Sequence, residues 1–442
     1  MRPIVLSLVI LFLCQSSFSQ TFWAKRQAGG NVDETLGVVS DSEGNTYSTG
    51  YFSTSAGVNG ESLLVQGLTD IFVSKVNVSG GTEWSVSFGG SQSDRGLGIT
   101  VDNSGNILVC GFYTGIVNFG NDVSLTSNGG QDAFLLKLDE TGLPLWAKGI
   151  GSIGNSDRAN AVAVDSVGNV FLTGQFSGDA GFGTFDLNAT DGSIDAFIVK
   201  YDANGNDVWV KQGTGESLER GMALATDNQG DVYVTGQFSG DITFDNLYEN
   251  NVLNAIFLIK YSSEGNEEWI RSAGGTQEAV AYGMTSDGES VFLTGDFGSS
   301  ISILGGGFPE TITSGHARAF FILAFSENGD LNWSSTSGSG TLVSSRAIDY
   351  SNGELAVTGY FRCTFDQFSE EYGTGTFNSI GFEDAFAARY SAQNGDFLWA
   401  RNFGSRTDEQ ALGITILPDG LDVICGAFTD HLVLPISQAL SG

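Results

Sequence analysis

The chain has 442 residues, of which 41% are apolar, 12% aromatic and only 16% charged, with 62 glycines, 5 prolines and a net charge of -32. So small a charged fraction excludes a coiled coil, the apolar and aromatic content excludes disorder, and glycines without a three-residue period exclude collagen. So acidic a surface repels nucleic acid and anionic lipid.

The first 20 residues predict export. Arg2 is a short basic region, Ile4 to Leu13 is apolar apart from Ser7, and Ser17-Phe18-Ser19 offers small residues for cleavage before Gln20. Residues 1–19 are therefore a predicted signal peptide and 20–442 a single domain. The apolar run is too short for a permanent anchor, so no membrane insertion is expected. Cys14 is no lipidation site, because large Leu13 precedes it. Cys110, Cys363 and Cys425 follow no C-x-x-C pattern and read as small buried hydrophobes.

A repeat organises the rest of the chain. Seven tryptophans (Trp23, Trp84, Trp146, Trp209, Trp269, Trp333, Trp399) are spaced 61, 62, 63, 60, 64 and 66 residues apart. Gly50, Gly111, Gly174, Gly236, Gly295, Gly359 and Gly426 form a second ruler, each with an aromatic residue two places on. The third repeat shows four predicted strands: a (159–165), b (169–176), c (195–201) and d (207–211, around Trp209). Asp165 with Gly168 and Asp202 with Gly205 mark the a–b and c–d hairpins, where Asp accepts turn N–H groups and Gly takes the left-handed conformation. Their recurrence makes these aspartates structural rather than calcium ligands. Four antiparallel strands repeated seven times predict an all-β, seven-bladed β-propeller, with strand a at the axis and strand d outermost. A linear solenoid would not need the split repeat at the ends. The chain opens with a d strand around Trp23, and the last repeat has only a (411–417) and b (421–428). The N-terminal strand is thus expected to complete the last blade and cover its edge. The seventh c strand is missing, which suggests a chain that continues past Gly442, or Leu432 to Ile436 as a substitute.

The segment "GNVFLTGQF…DAFIVKYDANGNDVWVKQGTG" resembles the bacterial SBBP (seven-bladed beta-propeller) repeat of secreted and surface proteins, over roughly residues 21 to 430. The resemblance implies a propeller and export, and brings no catalytic residues. Repeats four and five depart from it, with Ala255 and Ala319 replacing Asp and Ala324 replacing Lys.

Alternation puts the b–c and d–a loops on one face. The long, variable b–c segments there are the expected binding surface. They carry Glu61, Asp122, Asp179, Asp186, Asp191, Asp241, Asp245, Glu249, Glu310, Asp366, Glu370 and Glu371. Lysines and arginines occupy framework positions instead, so this face is expected to be electronegative. Asp33, Asp94, Asp157, Glu219 and Asp408 precede strand a in equivalent positions and could ring the axial mouth and hold a hydrated Ca²⁺. The structural alternative is loop capping or pairing with Arg95, Arg158 and Arg220. His316 and His431 lie in different repeats and form no catalytic motif. The sequence therefore predicts a monomeric, secreted or surface-located, non-catalytic binding module. Its partner would be a glycan or an exported protein, with no nucleic acid. An extracellular polysaccharide hydrolase or lyase using loop carboxylates, or a purely structural repeat, are the alternatives.

Overall fold

The computed structural model describes residues 6–12, 24–28 and 33–428, apart from 59–60, 155, 190–191, 216, 276, 305–309, 315–316, 338 and 367–375. Trp23, the cleavage position at Gln20, both histidines and residues 432–436 lie outside the described residues. Everything described is strand, turn or bend, arranged as a propeller.

Repeat three folds as predicted, with strands Arg158–Val164, Val170–Phe176, Asp195–Tyr201 and Asp207–Thr214. Its turns close as expected. Asp165 Oδ1 accepts from the N–H groups of Val167 and Asn169 at 3.0 and 2.8 Å, and Gly168 has φ +90°. Strands b and c are buried on both faces because a neighbouring repeat covers each side. The innermost strands lie side by side in sequence order. Glu34–Ser40 packs beside Arg95–Val101, and then Arg158–Val164, Arg220–Thr226, Ala279–Ser286, Ser339–Ser351 and Glu409–Ile416 follow; the last returns to Glu34–Ser40.

Two devices clasp neighbouring repeats. The first is the tryptophan. The indole N–H groups of Trp84, Trp209, Trp269 and Trp333 donate to the backbone carbonyls of Glu140, Ser263, Glu327 and Ala392, all in the next repeat's c–d turn. The turn glycine rests on the ring. A Cβ on Gly395 would lie 2.5 Å from Trp333 Cε3, and one on Gly205 3.0 Å from Trp146 Cε2. Glycine is thus required twice there, for positive φ and for space.

The second device is built from the b–c segments. These segments fold back as hairpins. In repeat two, strands b and c run on as Ile107–Gly120 and Val123–Leu138, around Asn121 and Asp122 at φ 51° and 61°. In repeat three, Asp179–Phe182 pairs with Phe185–Asn188. Each hairpin then adds to strand d of the preceding repeat: Gly151 faces Gly181, Gly213 faces Phe244, and Ser272 faces Leu304. Apolar residues such as Phe119, Phe182, Ile242 and Ile301 seal the junctions. The physical reason is that strand d would otherwise offer an open edge.

The last repeat is closed by N-terminal residues. Ala24–Ala28 takes the outer position, as the split repeat requires. Between it and Asp422–Phe428 lies Leu6–Phe12, the apolar run read as part of the signal peptide. Phe428 faces Leu6 just as Phe176 faces Asp195 in repeat three, so this run adopts the register of a c strand. Two unpaired edges and an apolar segment without turn residues explain the pairing.

Candidate functional site

Of the carboxylates before strand a, Asp33, Asp94, Asp157 and Glu219 are buried. They hold the d–a loops. Asp94 is fully buried, accepting from Gly90 N–H at 2.7 Å and Thr114 N–H at 3.0 Å. Asp157 accepts from Ser152 N–H and Oγ at 2.7 and 2.8 Å and from Ser177 N–H at 3.0 Å. Asp33 accepts from Ser53 N–H at 3.0 Å. Glu219 is buried in the corresponding loop, with Gly215 against its carboxylate. Asp408 needs correction: it is exposed and binds Glu383 N–H at 3.2 Å, while Glu409 is buried and accepts from Ser405 N–H at 2.7 Å. The equivalence was one residue out of step. Among the described residues, no three His, Cys, Asp or Glu side chains are placed to share a metal ion. Loop capping accounts for Asp33, Asp94 and Asp157, while both buried Glu219 oxygens lack a hydrogen-bond partner, and no ion pair joins Asp94, Asp157 or Glu219 to the adjacent arginines among the described residues.

A second row of buried carboxylates starts the c strands: Asp70, Asp132, Asp195 and Asp384. Each neighbours a d–a carboxylate across a repeat junction. Burial pushes Asp94 and Asp132 up to about 6, with Asp70 and Asp157 adding like-charge repulsion. Burial, and then Asp195, push Glu219 up to about 8. Glycines mark these junctions because a Cβ on Gly89, Gly151 or Gly404 would strike Asp70, Asp132 or Asp384.

Arginines occupy the mouth instead. The cross-strand pairs next to the strand-b glycine are Glu34–Tyr51, Arg95–Phe112, Arg158–Gln175, Arg220–Gln237, Val280–Asp296 and Ser344–Tyr360. Arg95 stacks 4.0 Å above the Tyr51 ring, and Arg158 lies 4.9 Å from Phe112 and donates to Gln131 Oε1. Among the described residues, arginine ion pairs involve Arg318, Arg362 and Arg389, and none involves Arg95, Arg158 or Arg220. Burial, followed by repulsion from Arg220 and Arg95, lowers the Arg158 pKa. The Nε atoms of Arg95 and Arg220 are buried without an acceptor. Three adjacent half-buried cations therefore stand uncompensated in a chain of charge -32. The expectation of a uniformly electronegative face is corrected at the axis. The arginines were visible in the sequence, but their assignment as partners of the neighbouring aspartates hid their role.

Across the mouth, a cavity of about 270 Å³ opens between repeats five and six, lined by Tyr282, Asp296, Arg318, Ser344, Arg346 and Tyr360. Arg346 is not equivalent to Arg95, as the sequence suggested. It occupies the strand-a bulge two residues further on, where repeat five has Tyr282. Cys110 and Cys425 are buried free thiols packed on Gly98 and Gly413.

Residues 145–175 match the SBBP family, a beta-propeller repeat, and this part of the chain is such a repeat. An uncharacterised WD repeat-containing protein of Acanthamoeba polyphaga mimivirus is 26% identical, over 59% of this chain and 24% of its own length. Regulatory protein FlaEY of Caulobacter vibrioides is 29% identical over 26% of this chain and 12% of its own length. The chain thus spans a quarter or less of these curated relatives. Among solved structures, BamB from Moraxella catarrhalis aligns with TM-score 0.39 and 14% identity over 88% of this chain and 95% of its own. Sqt1 from Chaetomium thermophilum aligns with TM-score 0.42 and 10% identity over 90% and 97%.

Proposed function

We propose that this protein is an exported, non-catalytic propeller of seven four-stranded blades that binds an anionic ligand at its arginine-lined mouth. The cyclic order of the innermost strands, in which Glu409–Ile416 packs beside Glu34–Ser40, supports the blade count. The apolar leader and the Ser17-Phe18-Ser19 site support export, and cleavage there would remove Leu6–Phe12 from the last repeat. The observation that carries the binding reading is the uncompensated trio Arg95, Arg158 and Arg220. Burying three like charges side by side costs free energy unless a counter-charge arrives, and a guanidinium fork suits carboxylate or phosphate groups. The b–c hairpins are committed to the preceding repeat, which leaves the mouth as the accessible, chemically distinct surface.

The ligand class is a glycan or an exported protein bearing acidic groups. A polysaccharide hydrolase is disfavoured because the paired carboxylates, such as Asp132 and Asp157, are buried at repeat junctions and engaged with backbone donors. The test is retention on immobilised acidic and neutral polysaccharides at low salt. Retention on the acidic matrix, weakened tenfold or more by Arg158→Gln, is expected. Equal retention on neutral matrices, or an indifferent variant, would overturn the reading.

A further inference from the structure

The cavity between repeats five and six has two chemically opposite ends. At one end, Asp296 is buried and fully engaged. Its Oδ1 accepts from Arg318 Nε at 2.8 Å and Nη2 at 2.5 Å, and its Oδ2 accepts from Ser344 Oγ. Arg318 is thereby neutralised. At the other end, Arg346 lies flat 3.9 Å from the Tyr282 ring and 5.1 Å from Tyr360, whose hydroxyl accepts from Nη2 at 2.6 Å. No carboxylate pairs with Arg346 among the described residues, and its Nε is buried without an acceptor.

From this asymmetry we propose that the cavity holds one carboxylated sugar ring, a uronate, with its carboxylate on Arg346 and its hydroxyls toward Ser344 and the tyrosine hydroxyls. This deepens the mouth reading and rests on it. A simple anion would gain Arg346 but leave the Ser344 and tyrosine hydroxyls of the lining unused. A neutral sugar would satisfy the hydroxyl-binding end and leave Arg346 uncompensated. A peptide carboxyl terminus would gain Arg346 but bring no ring hydroxyls to Ser344, Tyr282 and Tyr360. A ring carrying both functions matches both ends. The volume corresponds to roughly nine waters at about 30 Å³ each, room for a single ring and not for a chain. The opening on the mouth would let the rest of an acidic glycan reach the arginine trio.

The experiment titrates the full chain with glucuronate, glucose, acetate and a short peptide with a free carboxyl terminus, followed by calorimetry at low salt. Glucuronate is expected to bind at least tenfold more tightly than the other three. Arg346→Gln should weaken it tenfold or more, a change expected from losing one charge-assisted contact. Leu342→Trp, which fills the cavity and leaves Arg346 in place, should also abolish it. Acetate or peptide binding as tight as glucuronate, or unchanged glucuronate binding in both variants, overturns the proposal. If acidic polysaccharide binds through Arg158 but glucuronate does not bind, the cavity inference falls and the mouth reading stands. If neither binds, both fall.

Discussion

Replacing Gly395 by alanine tests the tryptophan clasp. Gly395 sits in the c–d turn of repeat six at φ +74°, and an added Cβ would lie 2.5, 2.8 and 2.9 Å from Trp333 Cε3, Cζ3 and Cδ2. Two costs add together. A non-glycine residue in the left-handed region costs about 1–2 kcal/mol. Overpacking a filled site costs a further ~1–3 kcal/mol, because the ring is held by its 3.0 Å bond to the Ala392 carbonyl. Gly353, in the a–b turn of the same repeat, is the control: φ is +84° and an added Cβ meets nothing within 4 Å. Gly353→Ala should therefore show the conformational cost alone. In urea, Gly395→Ala should lower the unfolding free energy by about 2–5 kcal/mol and Gly353→Ala by about 1–2 kcal/mol, with unchanged slopes. Tryptophan fluorescence should report the transition. Equal losses in the two variants would refute the claim that the ring and the turn are in tight contact.

Three other outcomes are expected. Stability should rise as pH falls from 8.5 to 5.5, because burial holds Glu219 at about 8 and Asp94, Asp132 and Asp422 at about 6. Raised native values mean that the folded state binds protons more tightly, so this contribution is complete below the ordinary carboxylate range and is lost through pH 6 and then 8. Glu219→Gln should raise the Tm at pH 8.5 and flatten the melting profile above pH 6; a lower Tm at pH 8.5 would count against it. Arg389→Met should cost about 3–5 kcal/mol in chemical denaturation by stranding buried Asp422, which now accepts from Arg389 Nη2 at 2.5 Å, and a loss under 1 kcal/mol would contradict this. Cys110 and Cys425 are buried and their thiols are pushed up by that burial, so iodoacetamide should label neither until the chain is unfolded, as peptide mass mapping would show.

Much of the fold was legible because the strand and turn signals are local. Asp165 with Gly168, or the glycine-and-aromatic ruler of strand b, act within a few residues, so spacing alone places them. The clasp partners were not legible, since Trp84 finds Glu140 at a separation of 56 residues and nothing nearby in sequence marks the contact. The pairing of the b–c segments was not legible, because polar tips such as Asn121-Asp122 mask buried anchors such as Phe119. At the mouth, Asp94 and Arg95 are chain neighbours, but successive strand residues point to opposite faces. Asp94 turned to backbone donors, and Arg95 to the Tyr51 ring. Sequence adjacency suggested an ion pair where geometry forbids one. The bulge in strand a likewise shifted Arg346 out of the register that simple counting assigns.

The outer hairpins bear on resistance to proteases. A protease cutting the tip at Asn121-Asp122 would meet a segment whose two arms remain zipped to each other, with Asn118 bridged to Gly89 of the neighbouring repeat. Severed ends would stay in place, so a nicked molecule should survive intact in shape and be told from the uncut one only after denaturation.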